Sequence, residues 1–153
     1  MILRVADIYG PRNTPLSTPI LFLRQALMHR PLTVFGQGTQ GRTYTYVSDF
    51  VEGVLLALNN KNALGCIMNL GSGQFVTMLE LAEAVHQVTG RKSKVVHDPS
   101  VPSDRRHLEI DIQKARRILG FIPRVKLEEG LKMTYDWMKD NLSYYSMEKG
   151  LIQ

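Results

Sequence analysis

The sequence predicts an α/β chain, on three observations. Short β-type segments alternate with segments whose apolar residues repeat at three and four, the pattern of strands joined by helices. One strand, Cys66-Ile67-Met68-Asn69-Leu70, is apolar on both faces, as in the interior of a parallel sheet covered on both sides. The chain has 153 residues, 44% hydrophobic and 22% charged. That is single-domain size and ordinary globular composition, which excludes a disordered tail, a collagen or a coiled coil.

Taken in order, Arg4 to Tyr9 reads as a strand stopped by Gly10-Pro11, because proline has no ladder donor. Arg12 to Pro19, rich in Pro, Ser, Thr and Asn, reads as a loop. Leu23, Ala26 and Leu27 place a helix over Ile20 to His29, ended by Pro31. Leu32 to Phe35 is a strand and Gly36 to Gly41 a turn; Arg42 to Val47 alternates polar and aromatic residues as a second strand. Ser48 or Asp49 is placed to cap the next helix, which carries Val51, Val54, Leu55 and Leu58 on one face. Thr77 and Glu80 have the spacing of a capping box. The helix behind them buries Met78, Leu81, Val85 and Val88 and stops at Gly90. Lys94 to His97 is a strand, and Asp111 opens a helix that ends at Gly120. Leu127 opens a last helix carrying Leu131, Thr134, Tyr135 and Met138. The sheet that the first strand and the Cys66 strand would join is not otherwise encoded here, so a further half of the fold is expected elsewhere.

Composition narrows the function classes. The net charge of +5 is spread over small groups such as Arg91-Lys92, Arg105-Arg106 and Arg116-Arg117. A nucleic-acid binder would show a dense basic stripe with interleaved aromatics, so no nucleic-acid partner is expected. No run of about 18 apolar residues is present, so no membrane-spanning helix is expected. Residues 1–7 lack the pattern of a signal peptide. The single cysteine, Cys66, cannot form an internal disulfide, which fits a reducing, cytoplasmic setting. No Cys/His array proposes a metal.

Two motifs invite over-reading. Gly36-Gln37-Gly38-Thr39-Gln40-Gly41 has the letters of G-x-G-x-x-G. A dinucleotide loop needs a helix after those glycines and an acidic residue about 20 positions on. Here a strand follows, so the segment reads as a turn between strands. Tyr135 with Lys139, and Tyr145 with Lys149, spell Y-x-x-x-K, but residues four apart on a helix simply share a face. Arg42 is more informative, because an arginine fork beside a Gly-rich turn can hold a phosphate with two hydrogen bonds. Arg105 and Arg106 follow the Pro/Ser/Asp segment Asp98 to Asp104, which could fold over a ligand.

Six segments together resemble one family. Arg4-Val5-Ala6-Asp7-Ile8-Tyr9-Gly10-Pro11-Arg12 resembles the R-x-x-N-x-Y-G-P-R of extended short-chain dehydrogenases, the NAD-dependent epimerase/dehydratase family. Pro31 to Arg42 is similar to its P-L-x-V-x-G-x-G-x-Q-x-R, and Tyr46-Val47-Ser48-Asp49 to its Y-V-x-D. Asn69 to Gly73 is similar to N-x-G-S-G, Leu119 to Pro123 to L-G-(aromatic)-x-P, and Leu127 to Leu131 to L-E-E-G-L. The agreement runs in order from Arg4 to about Trp137.

The resemblance implies a fold, an activity and a site. The fold would be the C-terminal, substrate-binding portion of an extended short-chain dehydrogenase, spanning residues 1–153, with strands that complete a Rossmann sheet. The N-terminal dinucleotide-binding half would be absent. Enzymes of this group act on nucleotide-diphosphate sugars as epimerases, dehydratases or decarboxylases, opening with hydride transfer from sugar C4 to NAD. The cofactor loop and the catalytic Tyr/Lys pair lie in the other half. This chain is therefore assigned no catalytic residue, no cofactor-binding residue and no catalysis alone; NAD belongs to the complete enzyme.

Carried over by position, Arg42 would bind the substrate diphosphate. Leu32, Val34 and Phe35 would line the base and ribose through backbone contacts. Arg106, or less readily Arg105, would close on the diphosphate from the other side, and Tyr9 would lie near the sugar or nicotinamide. Asp7 departs from the family's asparagine, and a carboxylate facing a diphosphate would repel it. The partners implied are a nucleotide-diphosphate sugar and either the N-terminal half or a second copy. The alternatives are a non-catalytic nucleotide-sugar or phosphate-binding module, and a split subunit that pairs with a separate N-terminal half.

Overall fold

A computed structural model of the chain describes residues 1–90, 93–100 and 109–146. Seven strands and six helices alternate along them. The order is β1 (Ile2–Val5), β2 (Asp7–Tyr9), α1 (Thr18–Leu27), β3 (Leu32–Phe35), β4 (Gly41–Tyr46) and α2 (Val47–Leu58). It continues with β5 (Ile67–Leu70), β6 (Phe75–Thr77), α3 (Met78–Thr89), β7 (Val95–Asp98), α4 (Gln113–Leu119), α5 (Leu127–Asp140) and α6 (Leu142–Ser146). The expected α/β class holds.

The described strands form three small sheets: β1-β5, β2-β4-β6 and β3-β7. All pairings are parallel except β4 with β6. The strand expected over Arg4 to Tyr9 is thus two strands in different sheets. Ala6 marks the change: its amide donates to Leu70 O at 3.0 Å, and the next residue, Asp7, already pairs with Tyr44. Gly71 permits this crossing, since a Cβ there would stand 3.1 Å from the Ala6 Cβ.

Two apolar cores hold these sheets. The larger packs α1, α3 and α5 against β2-β4-β6 through Tyr9, Phe22, Leu23, Leu81, Leu131 and Met138. The smaller joins β5, α2 and α4 through Met68, Leu70, Ala57, Leu119 and Phe121. Helix α2 corrects an expectation. Its buried side is the small-residue row Gly53 and Ala57, with Asp49, whereas Val51, Leu55 and Leu58 are exposed. A Cβ on Gly53 would lie 3.0 Å from a Leu70 methyl, so the helix comes closest to the sheet along its small residues, while Phe50, Val54 and Leu56 pack partly buried against the smaller core.

Local signals are met elsewhere. Thr77 and Glu80 form the full capping box, and α3 ends at Gly90 with φ of 61°, the left-handed stop that glycine takes without strain. Bonds from the Thr77 backbone first, and from its hydroxyl second, hold the Glu80 carboxyl below its usual range. A carboxyl depressed on folding adds stability above its unfolded value that is lost as pH falls through its folded one. Glu80→Gln is therefore expected to be less stable than the parent at pH 7, and the gap to narrow below about pH 4.5. Urea unfolding of both proteins at pH 7 and pH 3.5 reads this; an undiminished gap at the lower pH would count against it.

Candidate functional site

Arg42 stands on β4 just beyond the Gly36 to Gly41 turn. Side chains alternate along a strand, so Arg42, Tyr44 and Tyr46 share one face. The parallel register Asp7 with Tyr44 and Tyr9 with Tyr46 puts Asp7 and Tyr9 on the same face. The three tyrosines fill the inner part of this face. Tyr9 lies edge-on to Tyr46 at 5.6 Å and to Tyr44 at 6.5 Å between ring centroids. The two charged residues stand at its outer end, where β2 begins. There Arg42 Nε lies 3.7 Å from Asp7 Oδ2, with the arginine side chain 27% exposed and the aspartate 58% exposed.

Two cavities meet at this pair. The smaller, about 160 Å³, is lined by Asp7, Arg42 and Thr43 with Glu109 and Ile110. The larger, about 470 Å³, lies on the other side, between Asp7, Arg42, Tyr44 and the loop residues Asn13, Thr14, Ser17 and Thr18. A guanidinium carries five N–H donors and meets a phosphate in a two-bond fork. The Ser17 side chain makes no capping bond to α1. The wall therefore combines the Arg42 guanidinium and its Asp7 partner with short polar side chains at a helix start, an arrangement able to hold a hydroxyl-rich ligand with a phosphate on the guanidinium. Burial, and next the charge of Asp7, push the Tyr44 hydroxyl well above its usual range; a Thr18 hydrogen bond and the charge of Arg42 oppose this.

The model for the NAD dependent epimerase/dehydratase family matches residues 1–71. The crystal structure of a UDP-glucuronic acid 4-epimerase from Bacillus cereus, in complex with UDP-glucuronic acid and NAD, is similar with a TM-score of 0.84 at 34% identity. It covers 92% of this chain and 45% of that one. Over residues 1–71 the chain is thus similar to the NAD dependent epimerase/dehydratase family.

Two curated relatives illustrate the range. UDP-glucuronic acid decarboxylase 3 of Arabidopsis thaliana is 40% identical over 86% of this chain and 39% of its own length. A UDP-N-acetyl-alpha-D-glucosaminuronate decarboxylase of Bacillus cytotoxicus is 36% identical over 91% of this chain and 46% of its own. The chain thus spans less than half the length of these relatives.

The residues singled out from the resemblance to this family lie in different settings. Arg42 borders both cavities. Tyr9 is buried in the larger core, its hydroxyl donating to Leu127 O at 3.2 Å; burial first, and neighbouring Tyr46 and carboxylates after it, push that hydroxyl far up. Leu32 and Val34 point into the same core, and Phe35 is 41% exposed. On the β3 backbone, the Thr33 amide donates to Gln25 Oε1 at 3.2 Å and Phe35 O accepts from Gln40 Nε2 at 2.7 Å. Arg105 and Arg106 lie outside the described residues.

The geometry of Gly36 to Gly41 does not fit the family's cofactor. The segment joins β3 to β4, and the adjacent helix start is already satisfied. Met78 and Leu79 amides of α3 donate to Gln40 O at 2.9 Å and Gly38 O at 3.2 Å, leaving those donors no role with a pyrophosphate. The Tyr135 and Lys139 pair is also structural in form. Lys139 Nζ sits over the face of the buried Tyr135 ring, 5.1 Å from its centroid, and pairs with Asp136 at 2.7 Å. Lys149 lies outside the described residues.

Three site features escape a reading of the sequence. Asp7 as the partner of Arg42 depends on the register between two strands remote along the chain. Glu109 reaches the smaller cavity only through the fold. Asp49 has the residue type of a cap, yet its carboxylate accepts from Arg124 N at 3.1 Å and Val125 N at 3.0 Å instead of from α2. Tyr46 stands at the N-cap of α2 and makes no side-chain cap.

Proposed function

We propose that this chain is the nucleotide-diphosphate-sugar-binding portion of an epimerase, dehydratase or decarboxylase, with Arg42 as the contact to the substrate diphosphate. The observation that carries the reading is the position of the Arg42 guanidinium in the wall common to two adjoining cavities. A diphosphate lying across that wall would leave a volume on either side for the nucleoside and the sugar. The names of the relatives support the ligand class, since they act on UDP-sugars and one is seen with UDP-glucuronic acid and NAD.

The same proposal gives the dinucleotide-binding half a place to pack. Val51, Leu55 and Leu58 line one exposed side of α2, and Ile2 and Ile67, exposed and opposite each other in register, lie on the uncovered face of β1-β5. A parallel sheet is ordinarily covered on both faces. The strands and helices of an N-terminal half would supply that cover, and NAD, which supplies the hydride acceptor when bound, would be held there. Among the described residues no helix is long and apolar enough to cross a membrane.

Arg42→Ala is expected to weaken UDP-glucose binding by about 1.5–3 kcal/mol, the range for hydrogen bonds to charged groups. Titration calorimetry on the two proteins measures it. Equal affinities would remove Arg42 from the site.

A further inference from the structure

We propose that Asp7 sets the charge selectivity of the Arg42 site, acting as a built-in anion that a diphosphate must displace from the guanidinium. This rests on the reading of Arg42 as the diphosphate contact and names what regulates that contact. The geometry begins with the strands. Asp7 is held by the β2-β4 ladder opposite Tyr44, two residues along from Arg42 on the same face, so its backbone cannot retreat when a ligand arrives. Its side chain is more than half exposed and has two free torsions, so the carboxylate itself can turn outward.

Both cavities that border Arg42 also border Asp7. Glu109 adds a second carboxylate to the smaller one. Among the described residues, then, the charged groups lining the two cavities are one guanidinium and two carboxylates. A diphosphate brings at least two negative charges to this wall. It must replace the Asp7 oxygen now 3.7 Å from Arg42 Nε, and a carboxylate left within about 4 Å of a phosphate charge weakens binding about fivefold even in water, and more where water is excluded. A neutral group at the same place avoids that repulsion and still offers an oxygen acceptor and an N–H donor. Asp7 therefore lowers affinity for anionic ligands selectively and leaves the nucleoside contact untouched.

The experiment is a calorimetric titration with two probes, UDP-glucose and uridine, on the parent chain, Asp7→Asn, Arg42→Ala and the double variant. Asn matches Asp in shape, and circular dichroism checks that each variant keeps the fold. The expected result is a gain of about fivefold or more in UDP-glucose affinity for Asp7→Asn, no change for uridine, and a smaller gain when Arg42 is already alanine, where only the carboxylate–phosphate repulsion is left to relieve. Unchanged or weaker UDP-glucose binding by Asp7→Asn, with Arg42→Ala still weakened, overturns the role of Asp7 and leaves that of Arg42 standing. An equal gain for uridine also overturns it, because the effect would then not reside in phosphate charge. Arg42→Ala binding like the parent, or no binding of UDP-glucose by any of the proteins, overturns both readings.

Discussion

Asp49→Ala is expected to lower the free energy of unfolding by about 3 kcal/mol, because it strips two backbone amides of their acceptors at once. The carboxylate is buried and takes the adjacent amides of Arg124 and Val125, one on each oxygen, at 3.1 and 3.0 Å. Those residues lie just ahead of α5, so this one side chain ties the start of α2 to the segment that follows the buried Phe121. Both bonds are partly buried; an amide left unpaired away from water costs about 1–3 kcal/mol, and alanine replaces neither acceptor. Asp49→Asn should fall between the two proteins, since its carbonyl can accept one amide while its NH2 group confronts the other. Urea denaturation reads the series. An alanine variant within about 0.5 kcal/mol of the parent, the ordinary scatter of surface changes, would show that the pair of bonds contributes nothing net.

Gly41→Ala is expected to be comparably severe for a steric reason. A Cβ at this position would lie 2.2 Å from Val76 O and 2.8 Å from Val76 C, which are backbone atoms of the neighbouring strand and cannot rotate away. The β4-β6 pairing, in which Gly41 faces Thr77 and Arg42 faces Val76, must open to admit the methyl group. Overpacking of this kind costs about 1–3 kcal/mol and sometimes more. Arg42 is the next residue, so UDP-glucose affinity should fall together with stability. Gly65→Ala is the natural comparison: its φ is +74° but nothing lies within 4 Å of the added Cβ, so only backbone strain of about 1–2 kcal/mol applies. Thermal unfolding of the two variants separates crowding from strain. If Gly41→Ala proved the more stable of the two, the close approach of β4 and β6 would not be a constraint.

Half of the candidate site is legible in the sequence alone. Arg42 stands out because a cation beside a glycine-rich turn has a chemical purpose that can be read locally. The G-x-G-x-x-G letters are separable from a cofactor loop for the same reason: the residues after Gly41 have strand chemistry, and the strand is there. What the folded chain adds is that Gly38 O and Gln40 O cap α3, and that Gly41 is small for the sake of β6. Neither β6 nor α6 has a signal of its own in the sequence. A three-residue strand such as Phe75–Thr77 carries too little periodicity to be seen without its partner.

Information carried by neighbours in the chain is enough for the α/β class, the capping box at Thr77 and Glu80, the glycine stops at Gly90 and Gly120, and the apolar face of α5. Each depends on interactions within a turn or two of helix, where sequence spacing equals spatial spacing. The resemblance of six short segments likewise needs only their order. Tertiary structure alone decides the division of the first strand at Ala6, the inward turn of Gly53 and Ala57, the use of Asp49 as a link to residues 75 and 76 positions away, and the meeting of Asp7 with Arg42. Those outcomes rest on strand register and on how closely two elements approach, and both are set by the packing of segments remote in sequence.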